Sequence, residues 1–154
     1  MNWTLFDYLA FGGMVGVAGL IFTVAASRPH GFLYKLAASL AVGAAFLLVW
    51  AVLAVGALGE PGDPADLMYG LALLIGLVGG ALVRLQPRGM VRVALAMAAA
   101  HAAIAGIALI LGKHRTPVSS VFEVLAVNGL FVALFGGAAA LFWLSARRDR
   151  IAAA

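Results

Sequence analysis

Few side chains in this sequence can do chemistry, and they fall into three groups. The first is acidic: Asp7, Glu60, Asp63, Asp66 and Glu123, five of the six acids, all stand at the margins of long apolar runs. Carboxylates from several helix ends could hold a hard divalent cation, which needs several oxygen ligands, or could dock a basic partner or substrate. Against this, Asp7, Asp66 and Glu123 each open a helical run, where a carboxylate complements the helix dipole and caps orphan amides. No EF-hand spacing is present, so no metal is expected. The second candidate is His101, midway along an alanine-rich apolar run. An ionisable group at mid-bilayer is expensive and by default a functional candidate, for a proton relay, a solute or a haem. A haem between two helices commonly takes a histidine from each, and His30 and His114 fall in breaks on opposite sides. The plainer reading is a neutral imidazole hydrogen-bonded to a neighbouring helix. The third is Asn128, followed by Gly129, suited to an interhelical hydrogen bond or to the lining of a solute site. Lys113-His114-Arg115 is a small basic cluster more suited to pairing with Glu60, Asp63, Asp66 or Glu123, or with headgroups, than to binding substrate.

What is missing narrows the chemistry further. The chain has no cysteine, hence no disulfide, thiolate nucleophile or Cys-ligated metal. It has no Gly-x-Ser-x-Gly, phosphate loop, His-Glu-x-x-His or dinucleotide fingerprint. No cofactor and no enzymatic activity are expected.

The elements that must position these residues are set by composition. Of 154 residues 65% are hydrophobic and 10% charged, with a mean hydropathy of +1.10, which marks an integral membrane protein. The net charge of +4 does not point to nucleic acid, because the Lys and Arg residues occupy the breaks between apolar runs and form no long basic face. Five stretches are long enough to cross a bilayer core, at about 5–26, 34–58, 66–85, 90–112 and 121–145, and lipid requires each to be helical. The expected fold is thus all-α, a single membrane domain over 1–154 forming a five-transmembrane-helix bundle. Asp7 stands where a secretory leader would be basic, so the first run is expected to remain in the mature protein. Ser27-Arg28-Pro29-His30-Gly31 and Gln86-Pro87-Arg88-Gly89 read as turns. Asp63 reads as an N-cap, with Pro64 in the first turn and Asp66 at the third position.

Charge orients the bundle. One side collects Arg28, Lys35, Arg84, Arg88, Arg92, Arg147, Arg148 and Arg150, the other only Lys113 and Arg115. By the positive-inside rule the C-terminus is cytoplasmic and the N-terminus outside. The five acids then lie outside, with Asp149 inside. Trp3, Tyr8 and Tyr69 at the outer ends, and Tyr34 and Trp143 at the inner ends, fit aromatic belts. Small residues four apart, Gly12 and Gly16, Gly76 and Gly80, Ala102 and Gly106, and Gly129, Ala133 and Gly137, predict close packing inside the bundle, or alternatively an oligomer interface. The fourth helix, alanine on every face, is expected to be surrounded by neighbours. Pro29-His30-Gly31 and Pro87-Arg88-Gly89 hint at a duplicated helix pair, although tight turns select the same residues.

Several segments resemble a group of small multi-pass inner-membrane proteins of proteobacteria: Phe46-Leu47-Leu48-Val49-Trp50 with Ala54-Val55-Gly56, the Gly59-Glu60 and Asp63-to-Tyr69 segment, Arg84 with Pro87-Arg88-Gly89-Met90, and Asn128 to Leu134. The group carries Asn-Pro-Ala-Asn where this chain has Asp63-Pro64-Ala65-Asp66, and glutamine in place of His101. The resemblance implies the inner membrane of a Gram-negative bacterium and no particular activity. The expected function is non-enzymatic: an accessory or structural subunit of a larger membrane complex, or a homo-oligomer, with membrane lipid, other subunits or itself as partners. The alternative is a small transporter or channel for a cation or small solute, using His101 and Asn128.

Overall fold

A computed structural model describes residues 5–54, 64–112 and 120–152. Glu60 and Asp63, with the Lys113-His114-Arg115 cluster, lie outside the described residues, as does the side chain of Asp7. Among the described residues every regular element is helical: α1 (Leu5–Ala26), α2 (Phe32–Ala54), a 3-10 turn (Pro64–Asp66), α3 (Leu67–Leu82), α4 (Pro87–Ile110) and α5 (Val121–Ala152). Four stretches are long and apolar enough to cross a membrane: Phe32–Ala54, Pro64–Leu82, Pro87–Ile110 and Val121–Ala152. This is a multi-pass architecture, in which intrahelical bonding satisfies the backbone where lipid cannot. In α1 the apolar helix Phe11–Ala26 is shorter.

Two boundaries differ instructively from the hydropathy reading. Helix α4 starts at Pro87, not Met90, because proline at the first helical position lacks only an amide that would be orphaned anyway. Helix α5 runs past Ser145 to Ala152; its basic tail leaves the apolar segment without leaving the helix, and Arg147 lies over the Trp143 ring at 4.7 Å.

The helices form a bent row, α1–α2–α5–α4–α3, with α4 against α5 the most extensive seam. Two clusters fill it. One joins Leu48, Tyr69, Met97, Ile104, Phe131 and Phe135; the other joins Ala25, Tyr34, Ala37, Ala94, Ala138 and Phe142. Helix α1 leans on α2 through Phe11, whose ring meets those of Trp50 and Phe46 edge-on at 5.7 and 6.1 Å.

Small residues permit this spacing in some places only. A Cβ at Gly76 would strike Met97, and one at Gly79 would press on Val93, so α3 and α4 approach closely through glycine. Gly137 faces Leu40 across the α2–α5 contact. By contrast a Cβ at Gly12, Gly16, Gly106 or Gly129 meets nothing within 4 Å. Helix α4 is not surrounded: Ala99, Ala102, Ala103 and Gly106 are exposed along one face. Nor do the two turns match as a repeat. Pro29 sits in a turn while Pro87 is helical, and Gly89 lies hard against Val83 while Gly31 faces open space.

The α3–α4 turn is tight. Arg84 and Leu85 both have positive φ, 52° and 57°, a conformation that costs a residue with a Cβ about 1 kcal/mol or more. The turn is a Schellman closure: the Leu85 amide donates to the Gly80 carbonyl at 3.0 Å and the Arg84 amide to Ala81 at 3.0 Å. The Leu85 side chain folds back over Gly80. From α2, the Tyr34 hydroxyl donates to the Leu85 carbonyl at 2.6 Å, and the Tyr34 ring packs on Phe142 of α5 at 5.4 Å. Tyr34 is fully buried; its hydroxyl needs a buried acceptor and so draws it inward from the belt position its place in the sequence suggested. His30 reaches Asp149 at 3.7 Å, completing one end of the bundle. Tyr34→Phe should cost about 1 kcal/mol, since it orphans a carbonyl that a strained turn relies on. Unfolding in detergent measures this, and an unchanged midpoint would show that the hydroxyl does not hold the turn.

Candidate functional site

At the other end from Tyr34, a second tyrosine organises the buried polar groups. Asn128 is 1% exposed and Tyr69 and His101 are 0% exposed, so a polar atom there without a partner is costly. The Asn128 amide donates to the Tyr69 hydroxyl at 3.1 Å and to the Val124 carbonyl, one turn back on α5, at 3.0 Å. The Tyr69 hydroxyl in turn lies 3.3 Å from Asn128 Oδ1. This pair fastens α3 to α5 across the intervening α4. Tyr69 was expected in the outer aromatic belt; it is buried instead because its ring fills the core beside Met97 and Phe131 and its hydroxyl has a polar partner.

His101 of α4 lies among three rings: Tyr69, Phe131 and Phe135, with centroids 5.8, 5.2 and 5.4 Å away. Its Nδ1 is 2.8 Å from the Met97 carbonyl. A carbonyl only accepts, so Nδ1 carries the proton. Nε2 is buried with no hydrogen-bond partner among the described residues. The expected bond to a neighbouring helix is thus made within α4 instead, and the imidazole contributes to packing across α3, α4 and α5. The structure therefore brings His101 and Asn128 together through Tyr69, a residue that the spacing of ionisable side chains could not reveal. One signal was available: Tyr69 stands one helical turn after Asp66.

The acids do separate work. Glu123 and Ser120 form a reciprocal capping box at the start of α5, with the Ser120 amide donating to Glu123 Oε2 at 2.7 Å and the Glu123 amide to Ser120 Oγ at 3.2 Å. Glu123 is exposed, whereas Asp66 is 7% exposed at the N-cap of α3. Asp66 has helical backbone angles and, at the N-cap of α3, makes no side-chain cap bond; Asp63, the expected N-cap, lies outside the described residues. Among the described residues no three metal-ligating side chains cluster.

No family model, curated protein or solved structure matches this chain. The site's meaning rests on its geometry alone. That geometry is a closely packed, buried seam: neither His101 nor Asn128 lines the cavities beside Arg84, one between the α1–α2 and α3–α4 pairs and one at the α3–α4 turn.

A double-mutant cycle on Tyr69 and Asn128 should expose the coupling. Asn128→Leu alone should destabilise by about 1–3 kcal/mol because it strands a buried hydroxyl. Adding Tyr69→Phe should recover part of that loss, with a coupling of about 0.6 kcal/mol or more. Additive losses in chemical unfolding would contradict the pairing. His101→Leu should stay within about 1 kcal/mol of the parent, since it also removes the unpartnered Nε2.

Proposed function

We propose that the chain is a non-enzymatic inner-membrane protein of a bacterium, spanning the bilayer five times with its N-terminus outside and its C-terminus cytoplasmic. It acts by lateral association, as an accessory subunit of a larger membrane complex or as a homo-oligomer. The observation that carries this reading is the row Ala99, Ala102, Ala103 and Gly106 on the exposed face of α4. Lipid-facing positions are well served by bulky apolar side chains, whereas small residues at helical spacing let another helix approach closely. The α3–α4 contact uses Gly76 and Gly79 in this way within the chain. The exposed row on α4, and Gly12 and Gly16 on α1, offer the same chemistry outward.

The orientation is supported by the gathering of Arg28, Arg84 and the basic tail of α5 at the end tied together by Tyr34 and His30. The alternative, a small transporter or channel for a cation or small solute working through His101 and Asn128, has less behind it, because those residues are packed in the seam and line neither cavity.

The chain contains no cysteine, so an introduced Ala102→Cys can carry a photoactivatable crosslinker uniquely. In native membranes it should capture another protein chain, a second copy or a different subunit. Adding Gly106→Leu should abolish the capture without lowering the unfolding midpoint, because a Cβ there meets nothing within 4 Å among the described residues. Crosslinking to lipid alone would overturn the assignment of this face.

A further inference from the structure

The bent row leaves a gap between the α1–α2 pair and the α3–α4 pair. It holds a cavity of about 880 Å³, walled by apolar side chains such as Val17, Ile21, Phe46 and Leu77, with Arg28 and Arg84 the charged residues of its lining. That volume lies within the roughly 300–1,000 Å³ of ligand-binding pockets. A second, smaller recess of about 330 Å³ adjoins it at the α3–α4 turn, formed with Arg84, Arg88, Arg92 and Gln86. Arg84 lines both.

Three arginines line one small recess, and their positive charge attracts an anion. Among the described residues no carboxylate lies within ion-pair distance of Arg84, Arg88 or Arg92; Asp149 is engaged with His30. Guanidinium forks match phosphate oxygens in pairs, which favours arginine wherever phosphate is held. A free anion would account for the recess alone, and a neutral lipid for the groove alone. An apolar cavity that meets a cationic recess through one shared arginine, at the basic end of a membrane bundle, suits an amphiphile with a negative head.

We propose that this groove binds an anionic phospholipid, with its phosphate on Arg84, Arg88 and Arg92 and its acyl chain lying between α1–α2 and α3–α4. The backbone supports the assignment. Arg84 occupies the left-handed position after α3, where glycine is the usual and least strained occupant. Helix α4 is followed by Gly112 with φ 71°. At this position, which glycine would fit with less strain, the arginine lines both cavities.

The test uses the full chain reconstituted in vesicles of equal phosphatidylglycerol and phosphatidylcholine, with retained lipid read by native mass spectrometry and stability by thermal unfolding. The parent should retain phosphatidylglycerol preferentially. Arg84→Gly should keep or raise the unfolding midpoint yet weaken that preference about fivefold, the effect of one arginine near a charged headgroup. A structural arginine would not split the two readouts in this way. Ala81→Phe, which narrows the groove from its exposed α3 wall, should lower phospholipid retention with all the arginines in place. Equal retention of the two lipids by the parent would overturn the proposal, as would an Arg84→Gly protein that keeps the full preference. Protection by inorganic phosphate equal to that by phosphatidylglycerol, with Ala81→Phe having no effect, would reduce the site to an anion recess and also overturn it.

Discussion

Two tyrosine hydroxyls govern how this bundle closes. In a membrane, apolar side chains gain little by leaving lipid for protein, so helices are held by close approach and by the few polar groups that must be satisfied inside. Tyr34 ties α2 to the α3–α4 turn, and Tyr69 ties α3 to α5. Between these two ends run the α4–α5 seam and the glycine contacts of α3 with α4. Each hydroxyl joins segments far apart in the sequence, 51 residues for Tyr34 and Leu85 and 59 for Tyr69 and Asn128. Both ties are consistent with the order of the row, whose seams are made by the contacts of α2 and α4 with α5.

The hydropathy profile made much of the architecture legible. Apolar runs separated by Arg28-Pro29-His30-Gly31 and by Gln86-Pro87 read as helices joined by tight turns, and four of the helices are long and apolar enough to cross a membrane. What it could not reveal was which face of each helix looks inward. In a soluble helix the polar face points to water, but here both faces are apolar and the contrast that carries that information is missing. Hence the two tyrosines read as belt residues although both are buried, and the small-residue ridges read alike although Gly76 packs inside and Gly106 does not. The α5 tail was hidden for a related reason: charge marks the end of the lipid-facing segment, not the end of the helix.

The same ambiguity applied to chemistry. His101 looked like the centre of a site because an ionisable group in lipid is costly. The fold lowers that cost locally, by a bond to the Met97 carbonyl and three surrounding rings. The acids, read as one outer group, divide into a capping box at Glu123 and a buried Asp66, while Asp7, Glu60 and Asp63 were legible only as residue types. The cationic recess at Arg84 was invisible in sequence, since a count of basic residues orients a helix bundle without indicating that three arginines meet around one cavity.

We propose that this chain works through its outward faces with other chains. Native mass spectrometry of the protein, extracted gently from its own membrane, tests that claim most directly. A stoichiometric assembly, with copies of itself or with other subunits, is the predicted result. A lone chain carrying only lipid would contradict it.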